Sequence, residues 1–169
     1  MRLIVLLISV LLFLGCSHSH APLATVKEVE LNKYLGKWYE IARYEHFFEK
    51  GCSDVTATYK LKENGKLTVI NRCTKDGEVS KAIGEAYATD RSNSKLKVSF
   101  FWPFYGNYWI LALDNDYSYA VVGEPSRDYF WILSRTKELS KELTDIILKK
   151  MKNWGYERKD LIWTQHKKE

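Results

Sequence analysis

Cysteine thiols are the side chains best able to do chemistry in this 169-residue sequence, and there are three of them: Cys16, Cys52 and Cys73. A thiolate can attack a substrate, but it needs a neighbouring base, and no histidine with an acidic partner lies near Cys52 or Cys73 in the sequence. A spatial neighbour is still open at this stage. His18 and His20 have no third ligand beside them, which indicates a solvated spacer, so neither a metal site nor a cofactor is expected.

The N-terminal segment has the pattern of an export signal. One positive charge, Arg2, precedes twelve residues that are apolar except for Ser9. At about 1.5 Å per residue they span roughly 18 Å, which is short of the ~30 Å hydrocarbon core of a bilayer. Residues 1–15 are therefore predicted to be a secretory signal peptide. The sequence Leu12-Phe13-Leu14-Gly15-Cys16 resembles the lipobox of bacterial lipoproteins, although an ordinary signal peptide with an incidental cysteine is the alternative.

The lipobox resemblance implies that Cys16 is acylated, palmitate being one such chain, and becomes the first residue of the mature protein. Each buried methylene of an acyl chain contributes ~0.8 kcal/mol to membrane anchoring. Residues 16–29 would form a lipidated tether, flexible as far as residue 25, and Ser17 implies sorting to the outer membrane of a Gram-negative bacterium. Export to an oxidising compartment then favours a disulfide between Cys52 and Cys73. Two buried free thiols, or one reactive thiol, are the alternatives.

Composition limits the class of protein. Hydrophobic residues make up 46% of the chain, aromatic residues 14% and charged residues 28%, which excludes a disordered chain, a collagen and a disulfide-dense miniprotein. The formal net charge is +5, but the 26 basic and 21 acidic residues are interleaved. No nucleic-acid partner is therefore expected.

The elements that must position these residues are mostly strands. Short segments rich in β-branched and aromatic residues alternate with turn residues, and Asn64-Gly65 is a strong hairpin signal. Antiparallel neighbours in a meander, closing into an eight-stranded barrel, fit this spacing. The eight predicted strands cover residues 37–46, 53–62, 66–74, 81–89, 95–102, 107–114, 117–123 and 129–135.

A helix follows the strands. Apolar residues from Leu139 to Trp154 recur on one stripe at helical spacing, which predicts an amphipathic helix over about 139–154 that packs outside the sheet. Ser140 can cap its start and Gly155 suits its end. Residues 161–163 are predicted to be a last short strand or a packing segment. Residues 30–169 would thus form one barrel domain.

Three motifs resemble the lipocalin family. The segment Gly36-Lys37-Trp38-Tyr39-Glu40-Ile41-Ala42-Arg43 matches the signature G-x-W-Y-x-I-A-R, and Asn115-Asp116-Tyr117 and Trp131 to Arg135 are similar to the second and third motifs. The likeness covers residues 30–165 and is greatest to the bacterial outer-membrane branch and to apolipoprotein D. It implies an all-β, eight-stranded antiparallel up-and-down barrel with one C-terminal α-helix packed outside. It also implies that Trp38 and Arg135 close one end through a cation–π contact, without any part in chemistry.

Strand parity predicts a cavity in that barrel. Strand four has small residues on one face, which would leave a space opposite the aromatic face of strand five. The alternative is that the small residues make room for bulky neighbours such as Phe100 and Trp131. Resemblance to apolipoprotein D implies that the residues at positions 59, 71, 100 and 131 line the ligand pocket. The full predicted ligand-binding set is Glu40, Tyr59, Asn71, Ala86, Val98, Phe100 and Trp131.

An aromatic segment over residues 101–106 joins strands five and six at the open end, and Trp102, Phe104 and Tyr105 form its predicted mouth loop. The loop could fold back over the cavity, touch a bilayer, or form a homodimer contact.

The family resemblance implies a binding protein and no enzyme. Fatty acids or lysophospholipids are the implied ligands, and envelope lipid storage, transport or maintenance is the implied role. Two other hypotheses stay open at this stage. One is an enzyme that acts on a lipid with a cavity thiol, and the other is a non-catalytic docking or dimerisation module that uses the 101–106 loop.

Overall fold

The computed structural model describes residues 20–167, so the predicted signal peptide (1–15) and the predicted acylation site, Cys16, lie outside the described residues. Within that range no helix has the length and apolar character needed to cross a membrane. The helices are α1 (Leu31–Tyr34) and α2 (Lys141–Met151). The strands are β1 (Gly36–Tyr44), β2 (Ser53–Leu61), β3 (Leu67–Lys75), β4 (Glu78–Ala88), β5 (Lys95–Phe101), β6 (Phe104–Leu113), β7 (Tyr119–Gly123), β8 (Phe130–Ser134) and β9 (Leu161–Trp163).

The first eight strands close into a barrel. Each strand pairs antiparallel with the next one in the chain, and β1 pairs with both β2 and β8. The predicted eight-stranded up-and-down barrel is therefore confirmed. The predicted last strand is β9, which pairs with β1 from Ala42 to Tyr44 on the edge of β1 opposite β8, because β2 pairs with that edge only as far as Tyr39.

The strand directions define two ends. The turn after β2, helix α1 and the turn after β6 lie at the closed end, where β1 begins. The predicted hairpin signal Asn64-Gly65 is in the first of these turns, and Gly65 has a φ of +79°, which glycine adopts without strain. The open end has the β1–β2 loop (45–52), the β3–β4 and β5–β6 hairpins, and the β7–β8 loop (124–129).

Helix α2 packs against the outside of the barrel. Its Ile147 and Met151 are buried with Val121, Phe130 and Ile132, which point outward from β7 and β8. The Ser140 side chain accepts a hydrogen bond from the Leu143 amide, as an N-cap does. The α-helix is shorter than the predicted range, because residue 139 precedes the cap and the last three residues form a 3-10 turn that ends at Gly155 (φ +81°).

The segment before β1 is ordered where the structure describes it. Leu23 and Val29 are buried, the Val26 amide donates to the Ile110 carbonyl (2.9 Å), and Arg127 donates to the Ala21 carbonyl (2.6 Å). The prediction of a flexible tether as far as residue 25 is therefore wrong from Ala21 onward. The reason is that three apolar residues, at positions 23, 26 and 29, find places against the barrel.

Cys52 and Cys73 form a disulfide, as predicted. It joins the β1–β2 loop to the end of β3, so it lies at the open end of the barrel. With both sulfurs in one bond, neither thiol is available as a nucleophile, and the enzyme hypothesis loses its two candidates.

Replacement of both cysteines (Cys52→Ser with Cys73→Ser) should lower the free energy of unfolding by ~3 kcal/mol, the value expected for a closed loop of about twenty residues. Urea unfolding of the parent and the double variant measures it, and reduction of the parent should reproduce the loss. Equal midpoints for oxidised parent and double variant would show that the crosslink contributes nothing.

Candidate ligand-binding site inside the barrel

The closed end is sealed by Trp38 and Arg135. The guanidinium of Arg135 lies 3.7 Å from the centre of the Trp38 ring. It donates to five backbone carbonyls, those of Lys33, Tyr34, Leu35, Lys37 and Tyr117. Trp38 is fully buried, and its indole donates to the Tyr34 carbonyl (2.8 Å). This pair therefore forms a floor, with no group left for chemistry.

Three tyrosines fill the space above the floor. The hydroxyl of Tyr108 lies 2.8 Å from that of Tyr34 and 2.7 Å from that of Tyr59. Burial raises the pKa of Tyr59 to about 12, so the phenol stays neutral. Ala86 and Val98 pack in the same cluster. Three predicted ligand-binding residues (59, 86 and 98) thus lie in the filled lower half of the barrel, and any ligand meets them only at its deepest point.

The small residues of β4 do not leave one continuous space. A side chain at Gly84 would collide with both β5 and its aromatic residue, because its Cβ would lie 2.5 Å from the Ser99 carbonyl oxygen and 2.8 Å from the Phe100 ring. Ala86 is buried in the core. The predicted cavity along the whole small-residue face of β4 is therefore wrong. The alternative prediction, that small residues make room for bulky neighbours, is correct at Gly84, which lies against Phe100. Above it, Ala82 pairs with Asn71 on the inner face and remains exposed. The interior is thus accessible only in its upper half.

A bulge in β1 brings an unexpected residue inside. Glu40 pairs with Leu133, but Ala42 pairs with Ile132, so one extra residue lies between the two pairs. Glu40 and Arg43 consequently both point inward, the latter beside Trp131 of β8. Simple alternation from Trp38 would have placed Arg43 on the outer face.

Arg43 is the centre of a buried polar cluster. Its Nη1 donates to Glu40 Oε1 (2.8 Å) and to Thr164 Oγ1 (3.1 Å), and its Nη2 donates to the Glu49 carbonyl (2.8 Å). The Glu49 carboxylate accepts from the Trp131 indole (3.3 Å). The β1–β2 loop therefore turns inward at Glu49 and covers part of the mouth.

The cluster holds one cation and two carboxyl groups. Burial, together with the negative charge of Glu40, raises the pKa of Glu49 to about 8. Burial also raises the pKa of Glu40, against the effect of Thr164 and Arg43. Glu40 is the carboxylate that forms the 2.8 Å ion pair with Arg43, so at neutral pH Glu49 is the protonated member of the cluster.

Three buried polar atoms in this upper region have no hydrogen-bond partner: Arg43 Nε, His46 Nε2 and Asn71 Oδ1. Arg43 Nε lies 3.9 Å from Glu49 Oε2, which is within ion-pair range but too long for a hydrogen bond. An unpartnered buried donor or acceptor costs about 1–3 kcal/mol, which a polar group entering the barrel could recover. Among residues 20–167 no group of three or more metal-ligating side chains is present. The arrangement can therefore hold the polar head of a ligand.

Aromatic side chains border the mouth. Trp102 and Phe104 are exposed, as is Phe101 in the same β5–β6 hairpin, while Phe47 and Phe48 are exposed in the β1–β2 loop. We call these five residues the aromatic rim. Tyr105 was predicted to be part of the mouth loop, but it packs against Tyr87 (ring centres 5.4 Å apart) on the outer wall, because alternate residues of β6 face outward.

Replacement of the buried carboxyl, Glu49→Gln, should change how stability depends on pH. The folded pKa of about 8 lies above the ordinary 4.5, so the stabilisation from the protonated group is complete below pH 4.5 and is lost as the pH rises toward 8. The parent should therefore lose stability relative to Glu49→Gln by up to about 1.4 kcal/mol per pH unit in that window. Urea unfolding from pH 4.5 to 8.5 measures the difference. His46, whose pKa burial lowers to about 4, is present in both proteins and cancels. Parallel curves would contradict a protonated Glu49.

A closed eight-stranded barrel with a Trp–Arg floor and an accessible upper interior defines a small-molecule-binding class of fold, and the sequence agrees. Residues 29–166 match the lipocalin-like domain, and the chain belongs to that family. The chain is 42% identical to outer membrane lipoprotein Blc of Vibrio cholerae over 98% of its own length and 99% of that protein. It is also 41% identical to apolipoprotein D of Macaca fascicularis, over 69% of this chain and 66% of that one.

Solved structures support the fold. Insecticyanin from the tobacco hornworm Manduca sexta superposes with a TM-score of 0.73 at 22% identity, covering 88% of this chain and 86% of that one. The match to the lipocalin-like domain and the identity to outer membrane lipoprotein Blc confirm the predicted family. The predicted localisation, a lipid-anchored protein of the Gram-negative outer membrane, is confirmed by relatives that bear that description.

Proposed function

We propose that this lipoprotein is acylated at Cys16 and holds a fatty acid or lysophospholipid in the upper half of its barrel, for envelope lipid storage, transport or maintenance. The observation that carries the proposal is the buried Arg43 cluster beside an accessible inner wall. A binding-protein function, and not catalysis, also agrees with the family.

The upper interior has the two kinds of surface that a single-chain amphiphile needs. Phe100, which is 41% exposed, and Ala82 offer apolar inner surface, and Trp131 borders it near the mouth. Each methylene buried there would contribute ~0.8 kcal/mol, less the cost of immobilising the ligand. The acyl chain would lie on this surface.

The polar head would bind at the mouth. Arg43 Nε can donate to a phosphate or carboxylate oxygen, and Asn71 Oδ1 can accept from a hydroxyl or ammonium group. A glycerol hydroxyl or an ethanolamine head supplies the second of these groups, and a free fatty acid does not. The donor at Arg43 and the acceptor at Asn71 together therefore favour a lysophospholipid over a fatty acid.

The first test is identification of the lipid that stays bound after mild detergent extraction from membranes, by native mass spectrometry. A single-chain lipid in a 1:1 complex is expected. Protein that carries no lipid, and whose Trp131 fluorescence does not change when lysophosphatidylethanolamine is added, would refute the proposal.

A second test blocks the upper interior. Ala82→Trp places an indole on the inner face and should weaken lysolipid binding by about tenfold or more, because it fills space that the acyl chain needs. Ile83→Trp is the matched control, since Ile83 is 57% exposed on the outer face of the same strand. Equal loss of affinity in both variants would place the ligand elsewhere.

A further inference from the structure

The aromatic rim occupies two opposite sides of the mouth. One part is the β1–β2 loop and the other the β5–β6 hairpin; in the closed strand order, β3 and β4 separate them on one side and β7 and β8 on the other. The five side chains are between 53% and 89% exposed. Two opposed apolar edges can rest together on one flat surface.

The start of the described chain lies at the same end. Arg127, in the β7–β8 loop of the open end, donates to the Ala21 carbonyl (2.6 Å) and to the Trp154 carbonyl (2.9 Å). His20 is next to Gly155. Only three residues separate His20 from Cys16, so the four Cα–Cα steps between them place the anchor at most about 14 Å from His20.

That distance is too short for the opposite orientation, in which the closed end of the barrel would face the bilayer. A ten-residue strand such as β6 rises ~33 Å, or about 25 Å along the axis of a barrel whose strands tilt by ~40°. The closed end also presents exposed polar residues, among them Lys33, Asn64 and Asp116. An anchor held in a bilayer therefore keeps the open end, and not the closed end, near the lipid.

We propose that the aromatic rim inserts into the interfacial layer of the membrane that holds the anchor, so that the mouth of the barrel opens directly onto lipid. Trp and Phe are suited to that layer, in which apolar rings and a wet boundary meet. Charges of both signs, such as Glu45 and Lys50, flank the rim, so insertion should depend little on anionic lipid or salt. The orientation rests on the acylation of Cys16 proposed above, whereas the affinity of the rim for lipid does not.

The first experiment uses the acylated protein, with its N-terminal mass verified, in phosphatidylcholine vesicles that carry brominated acyl chains. Bromine quenches tryptophan at short range, so the parent should be quenched and Trp102→Phe should lose most of the quenching. Trp163→Phe, which removes a 41% exposed indole on β9 outside the mouth, should keep it. Quenching that is absent, or unchanged by Trp102→Phe, would overturn the proposal.

The second experiment removes the anchor with Cys16→Ser and measures sedimentation with phosphatidylcholine vesicles. Phe47→Ser with Phe48→Ser, or Trp102→Ser with Phe104→Ser, should each weaken partitioning by about tenfold. Leu61→Ser with Ile83→Ser removes exposed apolar residues away from the mouth and should leave partitioning unchanged. Partitioning that the rim variants do not change, or a soluble dimer that they dissociate, would assign the rim to another role.

The same assay separates this proposal from the lipid-carrier function. Ala82→Trp in the Cys16→Ser background should still sediment with vesicles, because the block lies inside the barrel. Loss of lysolipid binding with retained vesicle binding would leave the membrane contact standing. Retained lysolipid binding with no vesicle contact would refute the contact alone.

Discussion

Replacement of the buried guanidinium, Arg43→Met, should lower the free energy of unfolding by about 3–5 kcal/mol and abolish most of the affinity for a charged lipid. The stability loss is expected because Glu40 would remain buried without its counter-ion. The affinity loss is expected because the variant removes the Nε donor, which makes no hydrogen bond within the protein and which we assign to the ligand head. Urea unfolding and lysolipid titration measure the two effects on the same protein.

A double variant separates stability from binding. Arg43→Met with Glu40→Gln leaves no charge of that pair in the interior, so it should recover a large part of the lost stability. It should not recover lipid affinity, because the head group still lacks its cation. If the double variant bound lipid as well as the parent, Arg43 would have a structural role only.

Truncation of the floor, Trp38→Ala, should cost about 3–5 kcal/mol of stability, the range for removal of a fully buried tryptophan. The loss includes the contact with Arg135, whose guanidinium would lie over an empty space. Thermal or urea unfolding measures it. Lysolipid affinity at a temperature where the variant is folded should change little, since the floor lies below the filled lower half.

Two control variants test whether the stability loss is specific to the Trp38 ring. Trp38→Phe keeps a ring under Arg135 and should recover part of the loss. Trp163→Ala removes a tryptophan that is 41% exposed and should cost much less. A loss at position 38 no greater than at position 163 would show that the floor does not hold the barrel together.

Most of the fold could be predicted from short sequence motifs. The G-x-W-Y-x-I-A-R segment and the arginine at the end of the third motif resemble lipocalin motifs, and that resemblance implies both the barrel and the Trp38–Arg135 contact. The period change after Arg135 predicts the helix, and Ser140 places its start within one residue. The pairing of Cys52 with Cys73 followed from export and an even count.

Less of the binding site could be predicted, because it depends on features that the alternation of inward and outward residues along a strand does not show. The β1 bulge turns Arg43 inward, and nothing in the spacing of its neighbours announces an extra residue. Glu49 comes from a loop that folds back into the mouth. The adjacent Phe47 and Phe48, just past the end of a strand, were the one available signal for the second half of the rim.

The sequence by itself determined the class of fold, the closed end, the disulfide and the expectation of an anchor, since each rests on a short motif or on residue type. Only the tertiary structure decided how much of the barrel is filled, which polar groups share its interior, and at which end the N-terminal segment begins. These properties depend on segments that are distant in the sequence. Gly84 lies against Phe100, Arg43 donates hydrogen bonds to Glu49 and Thr164, and Arg127 donates one to the Ala21 carbonyl. Side-chain volume and buried charge are balanced across strands, and a pattern read along one strand does not contain that balance.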